Sequence, residues 1–300
     1  MQLDKTLIVI RERGVFDTLD LALQVFRRHL VPILLALGLL AIPCALLNQW
    51  LLGWLITFDP DAPPLEEQVP GLIRFVWNMI LLVTLEAPLA NMLVTTYLGK
   101  AVFQETPRLR EIVRENRSPL AQVVFCHLAF RGVFPALLLL LLVDRFAGFS
   151  FAEVLLILLV LAVLLRRLVA PFLNEVVLLE RNPLRSRKQQ TMTAGKRSAV
   201  LHAANPGALI NLGLVVSCVT VLLTLATFGT CLCVQGIFLD DWSLGYGMFV
   251  VAWPFSLWLT TGFLAVVRFL AYLDLRISNE GWEVELRMRA EGLRVTEQLR

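Results

Sequence analysis

Long apolar runs occupy most of the chain, and the charged residues gather in the connections between them. A helix needs about 20 mainly apolar residues to cross the hydrocarbon core of a bilayer. The runs are uninterrupted and lack the alternation of a membrane barrel, so helices are the expected form. The pattern predicts an all-α fold, a polytopic transmembrane bundle of about six helices. The predicted crossings are 30–57, 71–98, 120–143, 151–172, 208–238 and 248–272.

Composition agrees with this pattern. Of the 300 residues, 57% are hydrophobic and 17% are charged, against roughly 45–50% and 25% in an average soluble protein. The first apolar stretch, residues 6–10, is too short for a signal peptide, so insertion is expected to use an internal helix. We therefore expect one integral membrane domain spanning 1–300. Its parts are an amphipathic entry segment at 1–29, the six-helix region at 30–272 and a cytoplasmic amphipathic helix at 273–300.

The charges of the connections predict the orientation. Lysine and arginine are concentrated before the first run, after the second and after the fourth. By contrast, residues 58–70 and 240–247 contain acidic residues and neither Lys nor Arg. Because basic loops stay in the cytoplasm, both chain termini are expected inside the cell. The net charge of +3 gives no reason to expect a nucleic-acid partner.

Several segments at the predicted inner face have amphipathic character. In residues 15–26, apolar side chains recur at helical spacing, so this stretch is expected to lie in the membrane interface. Residues 105–118 and 184–200 are expected to behave similarly. Their basic side chains either bind anionic lipid headgroups or only set the topology. The apolar positions of the entry segment are Val15, Phe16, Leu19, Leu23 and Phe26.

The segment 273–300 is predicted to be a helix with two apolar stripes on nearly opposite sides. One stripe includes Trp282, and the charges between the stripes are spaced for pairing along the helix. One stripe would pack under the bundle. The other either docks within the monomer or meets a partner membrane protein or a second copy. The candidate interaction residues are Asp274, Arg276, Glu280 and Trp282.

Two charged residues fall near the middle of consecutive predicted crossings. Glu86 lies in the second crossing and Arg131 in the third, at similar depth. Because ionisable groups in a bilayer usually face the bundle interior, we expect these two side chains to pair. The pair is either a structural lock on helix register or a polar patch for a substrate or an ion.

A second basic group lies near the inner ends of the fourth and sixth crossings. Arg166, Arg167 and Arg268 have long side chains that reach the phosphate level by extending along the helix. They either do only this or form a pocket for an anionic lipid headgroup.

The sequence contains no recognisable catalytic arrangement. His29, His127 and His202 fall in different segments, and no phosphate loop, serine elbow or zinc signature is present. The five cysteines all lie in apolar runs and are odd in number, which argues against a disulfide framework. We therefore expect no enzymatic activity, no catalytic residues, no metal site and no cofactor.

Three stretches resemble a group of bacterial six-helix membrane proteins. This group is similar to the membrane domain attached to some glycerophosphoryl diester phosphodiesterases. The stretches are 19–43, 170–197 and 268–286, which contain a basic pair, an acidic-then-basic segment and a tyrosine–acid–x–arginine motif. The residues that carry the resemblance are Arg27, Arg28, Glu180, Arg181, Arg185, Lys188, Tyr272, Asp274, Arg276, Glu280, Gly281 and Trp282. The resemblance implies a bacterial cytoplasmic membrane, and nothing in the chain resembles the soluble phosphodiesterase domain.

These features predict a non-enzymatic integral membrane protein that is a component of a bacterial envelope or membrane complex. The alternative is a transporter or lipid-handling protein that uses Glu86, Arg131 and the inner arginines. Membrane lipids with anionic headgroups are expected partners in either case.

Overall fold

The computed structural model describes residues 14–56, 65–102, 109–115, 117–130, 132–143, 150–169, 172–183, 193–204 and 206–280. Within these ranges every regular element is helical, which confirms the predicted all-α class. The helices are α1 (Val15–Arg28), α2 (Leu30–Leu52), α3 (Leu65–Ala90), α4 (Met92–Ala101), α5 (Leu109–Glu115), α6 (Arg117–Phe125), α7 (Val133–Leu141), α8 (Phe151–Val169), α9 (Leu173–Leu179), α10 (Ala194–Ala204), α11 (Pro206–Leu239) and α12 (Trp253–Glu280).

Four helical segments are long and apolar enough to cross a membrane. They are Leu30–Leu55, Pro70–Ala90, Leu209–Leu239 and Met248–Arg276. Helices α6 and α7 give a fifth candidate, because Leu120–Leu128 and Val133–Leu141 form one apolar pair bent by 42°. The fourth predicted crossing, 151–172, corresponds to α8, which has 19 residues but carries Glu153, Arg166 and Arg167. The count of six therefore stays a prediction.

The bundle has two ends, which we name by their helices. At the α1 end, Thr18 Oγ1 donates a hydrogen bond to Asp274 Oδ2 of α12 at 3.3 Å. At the opposite end, Arg74 of α3 contacts Glu153 of α8. Its guanidinium also lies 6.0 Å from the ring centroid of Trp54, just beyond α2.

Helix α1 packs antiparallel to α12. Thr18 lies beside Asp274, whereas Phe26 makes an edge-to-face contact with Phe263, with ring centroids 5.8 Å apart. Thr18 and Ala22 are buried in this contact. On the outer side of α1, Phe16 is 77% exposed. One part of the apolar face predicted for the entry segment therefore packs against α12, and the other part is exposed on the outside of the bundle.

The centre of the bundle is built on α3, α4 and α12. The large side chains of Phe75 and Met79 in α3 and of Phe269 in α12 are buried. Gly262 of α12 permits close approach of α2, since a methyl group at this position would lie 2.8 Å from Leu37. Helix α11 lies at the edge. In the most apolar part of Leu209–Leu239 only 6% of the residues are buried, whereas 61% are buried in the corresponding part of Met248–Arg276.

The third predicted crossing, 120–143, is broken in the structure. A π-helical turn, Cys126–Phe130, follows α6, and α7 begins after Gly132. Gly132 has φ of 86°, a left-handed conformation that glycine adopts without the steric cost of a side chain. Pro135 is accommodated in the first turn of α7, where its missing N–H is not needed. The chain therefore changes direction within the run.

Candidate functional site

A buried ion pair joins α3 to α8 at the opposite end. Arg74 Nε donates to Glu153 Oε1 at 3.0 Å, and Asn78 Nδ2 donates to the same oxygen at 2.8 Å. The backbone N–H of Ser150 donates to the other oxygen at 2.8 Å. Both carboxylate oxygens are therefore satisfied within the protein, as a buried charge requires. Sequence reasoning missed this pair, although both residues fall in the first turns of parallel runs that begin at the same end.

Glu86 lies deep in the bundle with only 1% of its surface exposed. Asn48 of α2 donates a hydrogen bond from Nδ2 to Glu86 Oε2 at 2.7 Å. Its predicted partner, Arg131, lies outside the described residues, so the Glu86–Arg131 pair stays a prediction. Asn48 of α2 is a hydrogen-bond partner of Glu86 that the sequence did not predict.

Side-chain amides satisfy backbone carbonyls near the helix breaks. Asn174 Nδ2 donates to the carbonyl of Pro88 at 2.8 Å, and Asn174 Oδ1 lies 2.7 Å from His127 Nε2. Asn91, between α3 and α4, donates to the carbonyl of Thr261 at 3.0 Å. Pro88 lies in the last turn of α3, where carbonyls lack partners within their own helix, so Asn174 satisfies that carbonyl, whereas Asn91 joins the break between α3 and α4 to the interior of α12.

The largest polar assembly lies at the α1 end around Glu180, directly after α9. We call it the Glu180 cluster, and its members are Glu180, Asn182, Arg197, Tyr272 and Arg276. Arg197 contacts both carboxylate oxygens, with Nε at 2.9 Å and Nη2 at 3.3 Å. Tyr272 donates its hydroxyl at 2.6 Å and Asn182 donates its amide at 3.0 Å. Arg276 Nε completes the cluster at 4.0 Å.

The Glu180 cluster connects three parts of the chain that are distant in sequence. Glu180 follows α9, Arg197 belongs to α10, and Tyr272 and Arg276 belong to α12. The Glu180 side chain is only 10% exposed, so its hydrogen bonds are shielded from water. One carboxylate faces two guanidinium groups, those of Arg197 and Arg276. One turn deeper, Arg268 pairs with Glu175 at 3.0 Å.

The structure brings together some of the predicted site residues and separates others. Arg268 contacts Glu175, and Arg276 contacts Glu180. Asp274 accepts its hydrogen bond from Thr18, and Arg166 is exposed on the last turns of α8. The side chains of Arg167 and Glu280, and the whole of Trp282, lie outside the described part of the chain.

Two of the three stretches that carry the family resemblance meet in this assembly. The stretch 170–197 contributes Glu180 and Arg197, and the stretch 268–286 contributes Tyr272 and Arg276. Sequence reasoning identified these residues separately but did not predict that Glu180 would hold them together. The alternation of basic and acidic connections between the apolar runs does not indicate which of these connections contact one another in the fold.

The two histidines whose side chains the structure describes, His29 and His127, have separate environments. His29, just before α2, lies with Nδ1 3.0 Å from the hydroxyl of Tyr97. Burial, and secondarily the neighbouring Arg28, lowers the pKa of His29, so the imidazole is neutral at pH 7. In the described residues, no three His, Cys, Asp or Glu side chains are grouped as a metal site would require.

No protein-family model, curated protein or solved structure matches this chain. The resemblance to the six-helix group therefore stays a prediction from the residues named above.

Proposed function

We propose that the chain is a non-enzymatic component of a membrane or envelope complex in a bacterial cytoplasmic membrane. In this proposal six helical segments cross the bilayer and the α1 end faces the cytoplasm. A partner docks at the α1 end, beside the last described turns of α12.

The path of the chain supports six crossings. Helix α8 begins beside α3 at the opposite end and is followed by α9 at the α1 end. Its most buried charge, Glu153, is neutralised by Arg74, so the cost of placing this residue at the membrane boundary is reduced. The remaining stretch, residues 154–165, is entirely apolar. Thr18 and Asp274 lie at the same end, which is consistent with an even number of crossings.

The observation that carries the proposed role is the Glu180 cluster. A topology signal needs only positive charge near the membrane, and it needs no fixed geometry. Here a shielded carboxylate orders α9, α10 and the last turns of α12 relative to one another. This order fixes the orientation of the described turns of α12 around Tyr272 and Arg276. Preorganised surfaces bind partners with a smaller entropic cost.

Cross-linking in native membranes, followed by native mass spectrometry after gentle extraction, tests this role. We expect the wild-type chain to carry a protein partner and Glu180→Gln to lose it several-fold, since Gln keeps the shape but removes the charge that holds Arg197. Asp241→Asn, an exposed carboxylate at the opposite end, is the matched control and should retain the partner. Membrane levels and melting temperature are compared for all variants. A solitary wild-type protein contradicts the proposal.

A lipid-handling role is the second candidate, and an apolar groove favours it. The groove has a volume of about 370 Å³ and lies between α1, α11 and α12. Apart from Asp20 its lining is apolar, including Leu19, Leu223 and Phe263. Such a lining suits one acyl chain of a phospholipid. Glu86 does not line this groove, so the lipid-handling role would not depend on the Glu86 carboxylate.

Filling the groove tests the second candidate. Leu223→Trp places a large side chain in the groove, whereas Leu222→Trp is a matched control on the exposed side of the same helix. If the groove handles lipid, Leu223→Trp lowers phospholipid exchange between reconstituted vesicles and Leu222→Trp does not. Equal exchange by both variants and the wild type argues against this role.

A further inference from the structure

The apolar groove between α1, α11 and α12 includes one charged group in its described lining, the carboxylate of Asp20. The side chains around it are aliphatic or aromatic, so the groove favours an apolar ligand group over water. A ligand that fits both parts of this lining is an amphiphile with a long apolar tail and a head that binds a carboxylate. The apolar lining residues are Leu19, Leu23, Phe26, Val219, Leu223, Leu259 and Phe263.

The deepest part of the groove lies where α11 and α12 come together. Thr224 Oγ1 donates a hydrogen bond to Thr260 Oγ1 at 3.1 Å, and both threonines are buried. Leu223 and Leu259, the residues directly before them, belong to the lining. The hydroxyl pair therefore joins the two helices at this level, and the groove extends from here toward α1.

The groove has a length that matches one lipid tail. Helix α1 is antiparallel to α12, and Thr18 bonds to Asp274, so Asp20 lies near the level of Asp274. Leu259 and Asp274 are separated along α12 by roughly 20 Å, because a helix rises 1.5 Å per residue. Half of the hydrocarbon core of a bilayer is about 15 Å thick. In a bilayer the groove would therefore reach from the headgroup level to about the middle of the membrane.

The Asp20 carboxylate can accept more hydrogen bonds than Gln24 supplies. Asp20 is exposed, and Gln24 Nε2 donates to its Oδ2 at 2.9 Å. An ionised carboxylate has about four acceptor positions on its two oxygens, and this bond uses one of them. A primary ammonium group has three N–H donors and a positive charge, so it binds a carboxylate more strongly than a neutral donor does.

Arg27 lies on the same side of α1 as Asp20, because seven residues make about two helical turns. Its side chain is exposed. A guanidinium group binds phosphate oxygens well, and every phospholipid carries such a phosphate. Arg27 would therefore strengthen the binding of all phospholipids alike, and the choice between headgroups depends on Asp20.

We propose that this groove binds an aminophospholipid, with one tail along Leu223 and Phe263 and the ammonium of the headgroup on Asp20. A choline headgroup has the same charge but no N–H donor, and a glycerol headgroup has no positive charge, so both match the carboxylate less well. The proposal rests on the lipid-handling role given above as the second candidate. It does not depend on the partner complex.

Competition between headgroups on the purified full chain tests the proposal. The protein is exchanged into nanodiscs that contain equal amounts of phosphatidylethanolamine and phosphatidylcholine, and native mass spectrometry measures which lipid stays bound. These two lipids share the phosphate and have no net charge, and their headgroups differ in the methyl groups on the nitrogen. We expect the wild type to retain phosphatidylethanolamine about threefold to fivefold more than phosphatidylcholine, the scale of one exposed charged contact.

Asp20→Asn keeps the shape of the side chain but removes its charge, so it should retain the two lipids about equally. Asp20→Glu keeps the charge and should keep the preference. Asp17→Asn is the matched control, because Asp17 is an exposed carboxylate one turn earlier on α1 that does not line the groove. Leu223→Trp fills the tail site and should lose both lipids. Melting temperatures are compared for all variants.

The proposal is overturned if the wild type retains no lipid, retains the two lipids equally, or prefers phosphatidylglycerol in a parallel competition. It is also overturned if Asp20→Asn keeps the preference, or if Asp17→Asn loses it equally. Loss of lipid from Leu223→Trp without any headgroup preference in the wild type overturns this inference but leaves the lipid-handling role in place. Full retention of lipid by Leu223→Trp contradicts both.

Discussion

At the scale of single residues, the carboxylate of Glu153 illustrates how this chain accommodates charge in an apolar bundle. The residue has no exposed surface, and Arg74 is only 5% exposed. Three donors from α3 and the start of α8 surround the carboxylate. Removing both charges from such a pair is often tolerated, but removing one leaves the other buried without a counter-ion. The two residues therefore depend on each other more than on their surroundings.

Glu153→Gln is expected to lower the free energy of unfolding by about 1–3 kcal/mol, because it removes the charged acceptor of the hydrogen bonds from Arg74, Asn78 and Ser150. The double variant Arg74→Met, Glu153→Met should recover most of this loss. Detergent–denaturant titration of the purified proteins measures the difference. A single variant as stable as the wild type, or a double variant less stable than the single one, contradicts this account.

The residues of the candidate site were predictable one at a time, but their contacts were not. Glu86 stands out in the sequence because it interrupts an apolar run, yet its observed partner is Asn48, 38 residues earlier. Asn48 is neutral and gives no signal in a charge pattern. Glu180, Arg197 and Arg276 are likewise visible as charges near run ends. Their meeting depends on how α9, α10 and α12 pack, which the pattern of one chain does not specify.

At the scale of elements, the apolar runs predicted the positions of the long helices better than they predicted where a helix is interrupted. Four predicted crossings appear as helices of membrane-spanning length and hydropathy. The run 120–143 was predicted as one crossing, but α6 and α7 are separated by a π-helical turn and a left-handed Gly132. Hydropathy averages over a window and is therefore insensitive to a single residue that redirects the backbone. Gly132 packs against Leu159 and Val163 of α8, so the bend is held by a neighbour.

Gly132→Ala is expected to destabilise the protein by roughly 1–2 kcal/mol, because alanine is unfavourable at φ of 86°. Its methyl group would also lie 3.1 Å from Leu159 Cδ1. Gly195→Ala is the matched control, since a methyl group there meets open space in a helix. It should leave the protein equally or slightly more stable. Thermal denaturation in detergent compares the two, and equal melting temperatures would refute the role assigned to Gly132.

At the scale of the whole molecule, the two ends of the bundle differ in charge. Exposed arginines gather at the α1 end, among them Arg27, Arg28 and Arg110. At the opposite end Arg74 is neutralised by Glu153, and the turn after α11 exposes Asp240 and Asp241. Hydrogen bonds from Ser243, with a smaller contribution from Gln235, lower the pKa of Asp241, so it stays charged at neutral pH. This asymmetry is the one that orients proteins in the cytoplasmic membrane.

In a variant without the native cysteines, Asp241→Cys is expected to react with a membrane-impermeant maleimide added to intact spheroplasts. Arg110→Cys should react only after the membrane is permeabilised, because the proposed orientation places the α1 end in the cytoplasm. Gel-shift labelling measures both. The reverse labelling order would invert the orientation, and simultaneous labelling of both sites would place the two ends on one side.

The pairing of α1 with α12 has a consequence for biogenesis. Thr18 and its hydrogen-bond partner Asp274 are 256 residues apart. At synthesis rates of about 5–20 residues per second, the ribosome completes α12 roughly 13 to 50 seconds after α1 emerges. Throughout that interval the face of α1 that carries Thr18 and Ala22 lacks its final neighbour. Phe16 and Leu23, which remain exposed in the finished structure, give the newly made helix an apolar surface that retains it at the lipid until α12 arrives.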